Sequence, residues 1–218
     1  WGPKYEANLI EIIAPSQILS FSAKWLGGKT ITKGLPNYKG YKKGVVDDKL
    51  ICSELWDLLN GADLVVAHNG RAFDVKTINA RLLFNGMSPT SPYKIFDTKL
   101  EFKKRFRLAS NSLDDLCGYY GLGRKLEHEG FPLWKRCEAG DPKAWSKMLR
   151  YNRHDIVLLE ALYLLMRPWA EKHPNVAVMS DRPDGCPNCG SQKAQARGWN
   201  YTKTSKHRRF QCECGSWY

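Results

Sequence analysis

The sequence feature that most constrains the fold is a short apolar run, Asp63-Leu-Val-Val-Ala-His68. A run of this length without polar alternation is typical of a strand that is buried on both faces in a parallel sheet. Asn69-Gly70 then provides a turn, and residues from Asp74 to Phe84 have the apolar spacing of a helix. Because parallel strands are joined by such crossover helices, this feature predicts an α/β domain.

Strand and helix patterns continue to alternate along the chain, and glycine-containing turns separate them. We predict further strands from Ile18 to Trp25, around Thr30 and from Tyr93 to Asp97, and helices from Asp47 to Leu59, Ser112 to Tyr120 and Pro142 to Trp169. The alternation predicts one α/β domain over residues 1–174. A linker with proline and glycine at 175–185 and a small C-terminal module at 186–218 complete the chain.

The chain is strongly basic, with 34 Lys and Arg against 22 Asp and Glu, for a formal net charge of +12. This balance favours a polyanionic partner, and nucleic acid fits it best. Many basic proteins are merely soluble, however, so the motifs have to decide. No stretch is apolar for long enough to cross a bilayer, and no signal peptide opens the chain. We expect a cytoplasmic protein without a membrane partner.

Asp74 stands where α/β proteins commonly place ligand sites. It comes after the turn that ends the buried strand, and open α/β sheets bind ligands beyond the carboxyl ends of their strands. A carboxylate at this position can hold a metal ion. Asp is equally common as a cap of the next helix. Both interpretations stay open on this segment alone.

Tyr151 and Asp155 are four residues apart in a long helical pattern, so both side chains project from one face. One face can then serve one site, although this segment taken alone favours a solvated polar face with Asp155 paired to an arginine. The charged loop from Lys125 to Gly130 could approach the active site or the substrate, but a histidine such as His128 is more often a surface residue, and we place it outside the site.

Carboxylates and a tyrosine close together are suited to hydrolysis of a phosphodiester. The reaction needs an in-line water and neutralisation of charge on the attacking and leaving oxygens, which two Mg²⁺ or Mn²⁺ ions supply. Such hard cations bind clustered carboxylate oxygens. A tyrosine hydroxyl beside the ions can orient the water or help to deprotonate it.

These motifs resemble those of the proofreading 3′–5′ exonuclease superfamily, in its tyrosine-containing branch with four acidic metal ligands. Asn-x-x-x-Phe-Asp, from Asn69 to Asp74, is similar to the second motif, and Tyr-x-x-x-Asp, from Tyr151 to Asp155, is similar to the third. Other segments that are similar to phage and bacterial enzymes of this kind are Ile18 to Gly27, Phe96-Asp97, Asn111 to Asp115 and Gly121 to Lys125.

The resemblance implies a ribonuclease-H-like exonuclease fold and removal of nucleotides from 3′ ends, with single-stranded DNA as the expected substrate. It implies a two-metal site for Mg²⁺ or Mn²⁺, with Asp74 and Asp155 as ligands and Tyr151 as the residue that positions the water. Asn69 and Phe73, in the second motif, are expected to contact nucleic acid. Replication or repair proteins are candidate partners, and a phage-encoded protein would act in the cytoplasm of its bacterial host.

One part of the family pattern is missing. The first motif is Asp-x-Glu on the opening strand, where alternate residues share a face, and no Asp-x-Glu occurs in these 218 residues. Glu6 and Glu11 have neither the spacing nor a clear strand context. Because the segment from Trp1 resembles the family's chain directly after that strand, we expect an N-terminally truncated form without the first strand and two acidic ligands. The alternative is a non-catalytic nucleic-acid-binding module derived from an exonuclease.

The seven cysteines are unevenly distributed. Cys52, Cys117 and Cys137 are scattered among apolar residues and are expected to be core thiols. The other four form two short pairs near the end of the chain, Cys186-Pro-Asn-Cys189 and Cys212-Glu-Cys214. Four thiolates suit a closed tetrahedral Zn²⁺ site, although the second pair has one intervening residue where two are commoner. We predict a small zinc ribbon with a structural ion.

The stretch between the cysteine pairs is rich in basic and aromatic residues. Lys203, Arg208 and Arg209 are expected to contact phosphates while aromatic rings stack on bases, as in proteins that bind single strands. Alternatively, Trp199 and Phe210 form the small core of the ribbon and the charges only keep it soluble. A third hypothesis is that the ribbon binds a replication protein instead of nucleic acid.

Overall fold

The computed structural model describes residues 16–218, so the predictions for Glu6, Glu11 and the segment that begins at Trp1 lie outside the described residues. The described residues form two compact units. The first contains residues 16–61, 70–91 and 123–158, and the second contains residues 62–69, 92–122 and 159–218.

Strands and helices alternate along the chain, as expected for a mixed α/β protein. The strands are β1 (Ser20–Ala23), β2 (Ile31–Gly34), β3 (Leu64–Ala67), β4 (Lys94–Asp97), β5 (Ala194–Tyr201) and β6 (Lys206–Cys212). The helices are α1 (Lys49–Asn60), α2 (Asp74–Phe84), α3 (Thr98–Arg105), α4 (Leu113–Tyr119), α5 (Phe131–Glu138), α6 (Pro142–Met166) and α7 (Val176–Met179).

The first unit is built around an apolar core beneath an antiparallel hairpin of β1 and β2. Helices α1, α2, α5 and the first part of α6 contribute buried side chains to it, among them Ile51, Leu82, Leu133 and Trp145. A Cβ on Gly34, at the end of β2, would lie 2.9 Å from the Trp145 ring. This close approach requires a glycine.

A buried ion pair joins three parts of the first unit. Asp48, immediately before α1, is 1 % exposed and accepts two hydrogen bonds from the Arg81 guanidinium of α2, at 2.7 and 2.8 Å. The backbone N–H of Ile18 and the side-chain amide of Asn85 also donate to this carboxylate, each at 3.0 Å. The carboxylate is therefore fully hydrogen-bonded, which is the condition for burying a charge without a large penalty.

The second unit contains the parallel pair of β3 and β4, in register from Leu64 opposite Lys94 to Ala67 opposite Asp97. The prediction of a parallel strand at Asp63-Leu-Val-Val-Ala-His68 is confirmed over Leu64–Ala67. The expectation that this strand is buried is wrong for the described residues, because β3 pairs there with β4 alone and all four of its residues are only partly buried. Phe96 packs edge-on against Tyr163 of α6, with ring centroids 5.4 Å apart.

The cysteine-containing segment 186–218 lies in the same unit and is built mainly from the β5–β6 hairpin. Few of its side chains are buried, because nearly every residue of β5 is exposed. Asn188 ties the segment to the end of α6, since its amide donates to the carbonyl of Arg167 at 2.9 Å.

Most predicted elements are present, and the differences have local causes. Helices α3 and α5 were not predicted; five of the eight residues of α3 are charged, so it has no clear apolar period. The predicted linker at 175–185 contains the four-residue helix α7. Although α6 has 25 residues, neither it nor any other helix in the described part of the chain is apolar enough to span a bilayer.

Candidate functional site

Tyr151 and Asp155 lie on one stripe of α6 that begins in the core. Met148, three residues before Tyr151 and seven before Asp155, is only 2 % exposed. Residues at this spacing share a helix face, so the stripe passes from the apolar core to two half-buried polar side chains. The prediction that one face carries both Tyr151 and Asp155 is confirmed, because both contact the same lysine.

That lysine, Lys125, lies in the loop before α5. Its ammonium is 2.8 Å from Oδ2 of Asp155 and 4.9 Å from the ring centroid of Tyr151. Burial disfavours its charged form, but hydrogen bonds to Asp155 and Tyr151 outweigh this effect and raise the pKa of Lys125. Lys125 is therefore a cation at neutral pH, and it compensates the charge of Asp155.

The second carboxylate oxygen of Asp155, unlike Oδ2, is not paired with Lys125. Oδ1 is buried and has no hydrogen-bond partner among the described residues. A buried acceptor in this state costs free energy, and a bound ion or water is a common reason for one in a native protein. On this observation, Asp155 fits a ligand for a hard cation.

Tyr151 is enclosed by the charged loop. The ring of His128 contacts its ring edge-on, with centroids 4.3 Å apart, and Lys125 lies over its face. Burial is the main cause that raises the pKa of Tyr151. The side chain is therefore a neutral phenol at neutral pH, which can donate or accept a hydrogen bond.

His128 belongs to this cluster, although the sequence around it indicates only a surface loop. Its Nδ1 accepts a hydrogen bond from the backbone N–H of Gly130 at 3.0 Å, which leaves the proton of the neutral ring on Nε2. Burial and the nearby Lys125 lower the pKa of His128. No periodicity marks a residue in a loop, so only the fold could bring His128 to Tyr151.

Asp74 is the first residue of α2 and is exposed. The N-cap of the helix is Phe73, so Asp74 does not occupy the capping position that one interpretation of the sequence assigned to it. A carboxylate in the first turn interacts favourably with the positive end of the helix dipole. Its role as a metal ligand remains a prediction.

Asn69 lies in the second unit, directly after β3, with a left-handed φ of 65°. Its backbone N–H donates to Oδ1 of Asp97 at 2.9 Å, and the same oxygen caps the start of α3. Asp97 is 4 % exposed, so this carboxylate is committed to holding the backbone. Contacts of Asn69 and Phe73 with nucleic acid remain predictions.

The four clustered cysteines are brought together as predicted from their spacing. Their sulfur atoms all lie within 4.8 Å of one another, and among the described residues no other set of three or more His, Cys, Asp or Glu side chains is close enough to share a metal. Sγ of Cys186 is 3.9 Å from that of Cys214, and Sγ of Cys189 is 3.5 Å from that of Cys212. Zn–S bonds of about 2.3 Å in a tetrahedron place sulfur atoms about 3.8 Å apart, so the cluster has the right size for zinc.

One of these thiols ionises readily. Burial opposes ionisation of Cys214, but hydrogen bonds with Ser216 and with the neighbouring thiols outweigh it and lower the pKa of Cys214 to about 7. A thiolate is the form that binds metal. The remaining cysteines, Cys52, Cys117 and Cys137, are buried, as expected of core thiols.

The predicted phosphate-binding residues lie on the hairpin between the cysteine pairs. Arg208 and Arg209 are in β6, and Lys203 is in the turn that joins the strands; all three are exposed. The guanidinium of Arg209 lies 4.6 Å from the Trp217 ring centroid and donates to the carbonyl of Arg197.

Comparison with known families identifies the larger part of the chain. A family model described as RNase_H superfamily matches residues 17–167. The chain therefore belongs to the RNase H superfamily. Comparison with curated proteins gives no match.

Membership confirms part of the sequence interpretation. The mixed α/β architecture and the ribonuclease-H-like assignment agree with the prediction, and the superfamily is compatible with nuclease activity. Nucleases of this kind typically use divalent metal ions.

Proposed function

We propose that this protein is a metal-dependent 3′–5′ exonuclease that hydrolyses phosphodiester bonds at the ends of single-stranded DNA. The observation that carries the proposal is the state of Asp155 within an RNase H superfamily domain. Its carboxylate is half-buried beside Tyr151, and one of its oxygens lacks a hydrogen-bond partner among the described residues.

Asp155 and Asp74 are the side chains of this chain that would hold the metal ions. Mg²⁺ or Mn²⁺ bound there would neutralise charge on the attacking and leaving oxygens and make a bound water more acidic. The family resemblance requires two further acidic ligands from an Asp-x-Glu motif, which these 218 residues do not contain.

The other residues of the cluster have roles that derive from their own chemistry. The neutral phenol of Tyr151 can orient the attacking water through a hydrogen bond. The ammonium of Lys125, 2.8 Å from Asp155, can contact a phosphate oxygen of the substrate when the carboxylate has another partner. His128 holds the Tyr151 ring from its side.

The C-terminal segment supports the proposal as a substrate-binding module. We propose that residues 186–218 form a zinc ribbon, that Cys186, Cys189, Cys212 and Cys214 hold a structural Zn²⁺, and that Lys203, Arg208 and Arg209 contact phosphates. In this proposal, residues 1–174 form the nuclease domain and residues 175–185 join it to the ribbon. Replication or repair proteins remain candidate partners.

A second candidate function has a specific observation in its favour. The ion pair between Lys125 and Asp155 balances the charge of the carboxylate without any metal. This is an arrangement that a domain binding nucleic acid without cutting it would retain. The alternative is therefore a non-catalytic binding module derived from an exonuclease.

Digestion of single-stranded DNA in the presence of Mn²⁺ separates the two functions. The chain is incubated with oligonucleotides labelled at the 3′ or the 5′ end, beside Asp155→Ala and Tyr151→Phe variants whose folding is verified by circular dichroism. When the chain is extended N-terminally by a segment that carries Asp-x-Glu, we expect early release of the 3′ label and stepwise shortening from that end. Loss of one preorganised electrostatic group typically slows a reaction about 100-fold or more, and Asp155→Ala should lose at least as much.

Each outcome points to one function. Turnover that depends on Asp155 and on Mn²⁺ supports the exonuclease. Turnover that persists in Asp155→Ala would mean that the site lies elsewhere. A folded chain that binds DNA tightly but never shortens it would favour the binding module.

A further inference from the structure

One face of the β5–β6 hairpin carries two aromatic rings and two cations. Trp199 pairs directly with Arg208, and Tyr201 pairs directly with Lys206. Directly paired residues lie on the same face of a hairpin, and so do residues two apart in one strand. These four side chains therefore form one surface, which we name the ring–cation face.

A β-bulge creates this surface. Ala196 pairs with Phe210 and Trp199 pairs with Arg208, so β5 advances three residues where β6 advances two. Gly198, within the bulge, has a φ of 72°, which other residues rarely adopt. If Ala196 stayed opposite Phe210 and the full sequence paired without a bulge, Trp199 would pair with His207, and both rings would lie on the face opposite the two cations.

The rings and cations are in contact, yet the rings stay open to solvent. The ammonium of Lys206 lies 4.2 Å from the Trp199 ring centroid and 5.7 Å from that of Tyr201, and the Arg208 guanidinium lies 5.0 Å from Trp199. Trp199 is 42 % exposed and Tyr201 67 %. Large exposed rings side by side mark a binding surface more often than an inert one.

The charge of the hairpin selects the kind of partner. From Ala194 to Cys212 the sequence has five Lys and Arg and no Asp or Glu. Such a surface complements a polyanion, and flat rings beside cations suit a polyanion that also presents planar groups. Nucleic acid meets both conditions.

The spacing of the rings distinguishes single from double strands. Residues two apart in a strand are about 6.8 Å apart, whereas neighbouring stacked bases in a DNA strand are about 3.4 Å apart. Successive bases can lie on both rings only if the strand is extended and its bases are unstacked. A duplex cannot offer its bases in this way.

We propose that the ring–cation face binds an extended, unpaired segment of nucleic acid, with one base on each of Trp199 and Tyr201 and phosphates on Lys206 and Arg208. The inference rests on the proposed function only for the general class of ligand. It extends the sequence prediction, since it adds both rings and Lys206 and assigns Arg208, but not Arg209, to the surface.

The other face of the same hairpin provides matched controls. Asn200 and His207 pair directly and lie on that face, and Arg209 is turned toward Trp217. Replacing Lys193 and Arg197, neither of which belongs to the ring–cation face, removes the same charge as replacing Lys206 and Arg208. A difference between these two double variants therefore reports position rather than net charge.

The test measures binding of the full chain to a fluorescein-labelled 20-nucleotide oligo-dT by anisotropy, without added Mg²⁺ or Mn²⁺. Stacking on an aromatic ring is worth about 1–3 kcal/mol per base, so Trp199→Ala with Tyr201→Ala should weaken binding at least about tenfold. Asn200→Ala with His207→Ala should change it less than about twofold. Lys206→Ala with Arg208→Ala should lower the slope of log K against log salt by about 1.4, for two lost phosphate contacts.

Equal effects of the two charge-removing double variants would overturn the proposal, as would equal affinity of the parent chain for a duplex or for polyglutamate. These readouts do not depend on cleavage, so failure of the exonuclease proposal would leave them interpretable. Failure at the hairpin would leave turnover dependent on Asp155 unchanged.

Discussion

The core of the first unit and the cysteine segment 186–218 are held together by different interactions. The core encloses side chains such as Ile51, Leu133 and Trp145, which are almost completely removed from water. In the cysteine segment, β5 and most of β6 are exposed, and the buried groups are concentrated around the thiols.

The difference shows that a region can leave most of its side chains exposed when something other than an apolar core stabilises it. A segment of about thirty residues cannot bury enough apolar surface to fold on that basis alone, and metal coordination commonly replaces the missing core. The hairpin is then free to expose its rings and cations. The polar cluster at Asp155, in contrast, is held by a helix whose adjoining turns are packed in the core.

The largest expected effect is that of removing the proposed zinc ion from the cysteine segment 186–218. Apparent binding free energies of structural zinc are about 10–16 kcal/mol in zinc-finger peptides, so removal of the ion should unfold residues 186–218. We expect one zinc per chain by atomic absorption, and none in Cys189→Ser with Cys212→Ser. Limited proteolysis of that variant should cut within the hairpin and spare residues 17–167. If the metal-free hairpin kept its native protection against amide hydrogen exchange, the prediction that zinc holds this segment folded would be wrong.

An intermediate effect is expected in the first unit at the buried ion pair. Arg81→Met leaves the Asp48 carboxylate buried without its cation, and loss of one partner of a buried pair typically costs about 3–5 kcal/mol. Urea denaturation should show this loss. The double variant with Asp48→Asn should recover part of it. The exposed pair of Lys104 and Glu171 provides the control, since Lys104→Ala should cost less than about 1 kcal/mol.

The smallest expected effect is a pH dependence of the same ion pair. Burial tends to raise the pKa of Asp48, but hydrogen bonds from Arg81, Ile18 and Asn85 outweigh it and lower the pKa below its ordinary value. The unfolded chain then takes up the proton at higher pH, so the contribution to stability is present above about pH 3.9 and is lost as the pH falls through the folded value.

Thermal unfolding measured between pH 6 and pH 3 checks this expectation. The difference in free energy of unfolding between the parent chain and Asp48→Asn should shrink as the pH falls below about 4. A difference that stays constant over the whole range would show that ionisation of Asp48 makes no contribution.

The sequence alone determined the features that depend on local pattern. The apolar run from Asp63 to His68, the periodicity of α6 and the spacing of the cysteine pairs predicted a parallel strand, a long helix and a four-thiol cluster. Each results from side-chain alternation, helical geometry or coordination chemistry within a short stretch of chain. Tyr151 and Asp155 share a face for the same reason.

Only the tertiary structure decided which distant groups meet. Lys125 and His128 are in a loop without periodicity, so no local pattern specifies that they contact Tyr151 and Asp155. The Asp48–Arg81 pair spans 33 residues, and the bulge at Gly198 depends on the register of two strands. Such contacts depend on how elements pack and pair, which a local sequence pattern does not specify.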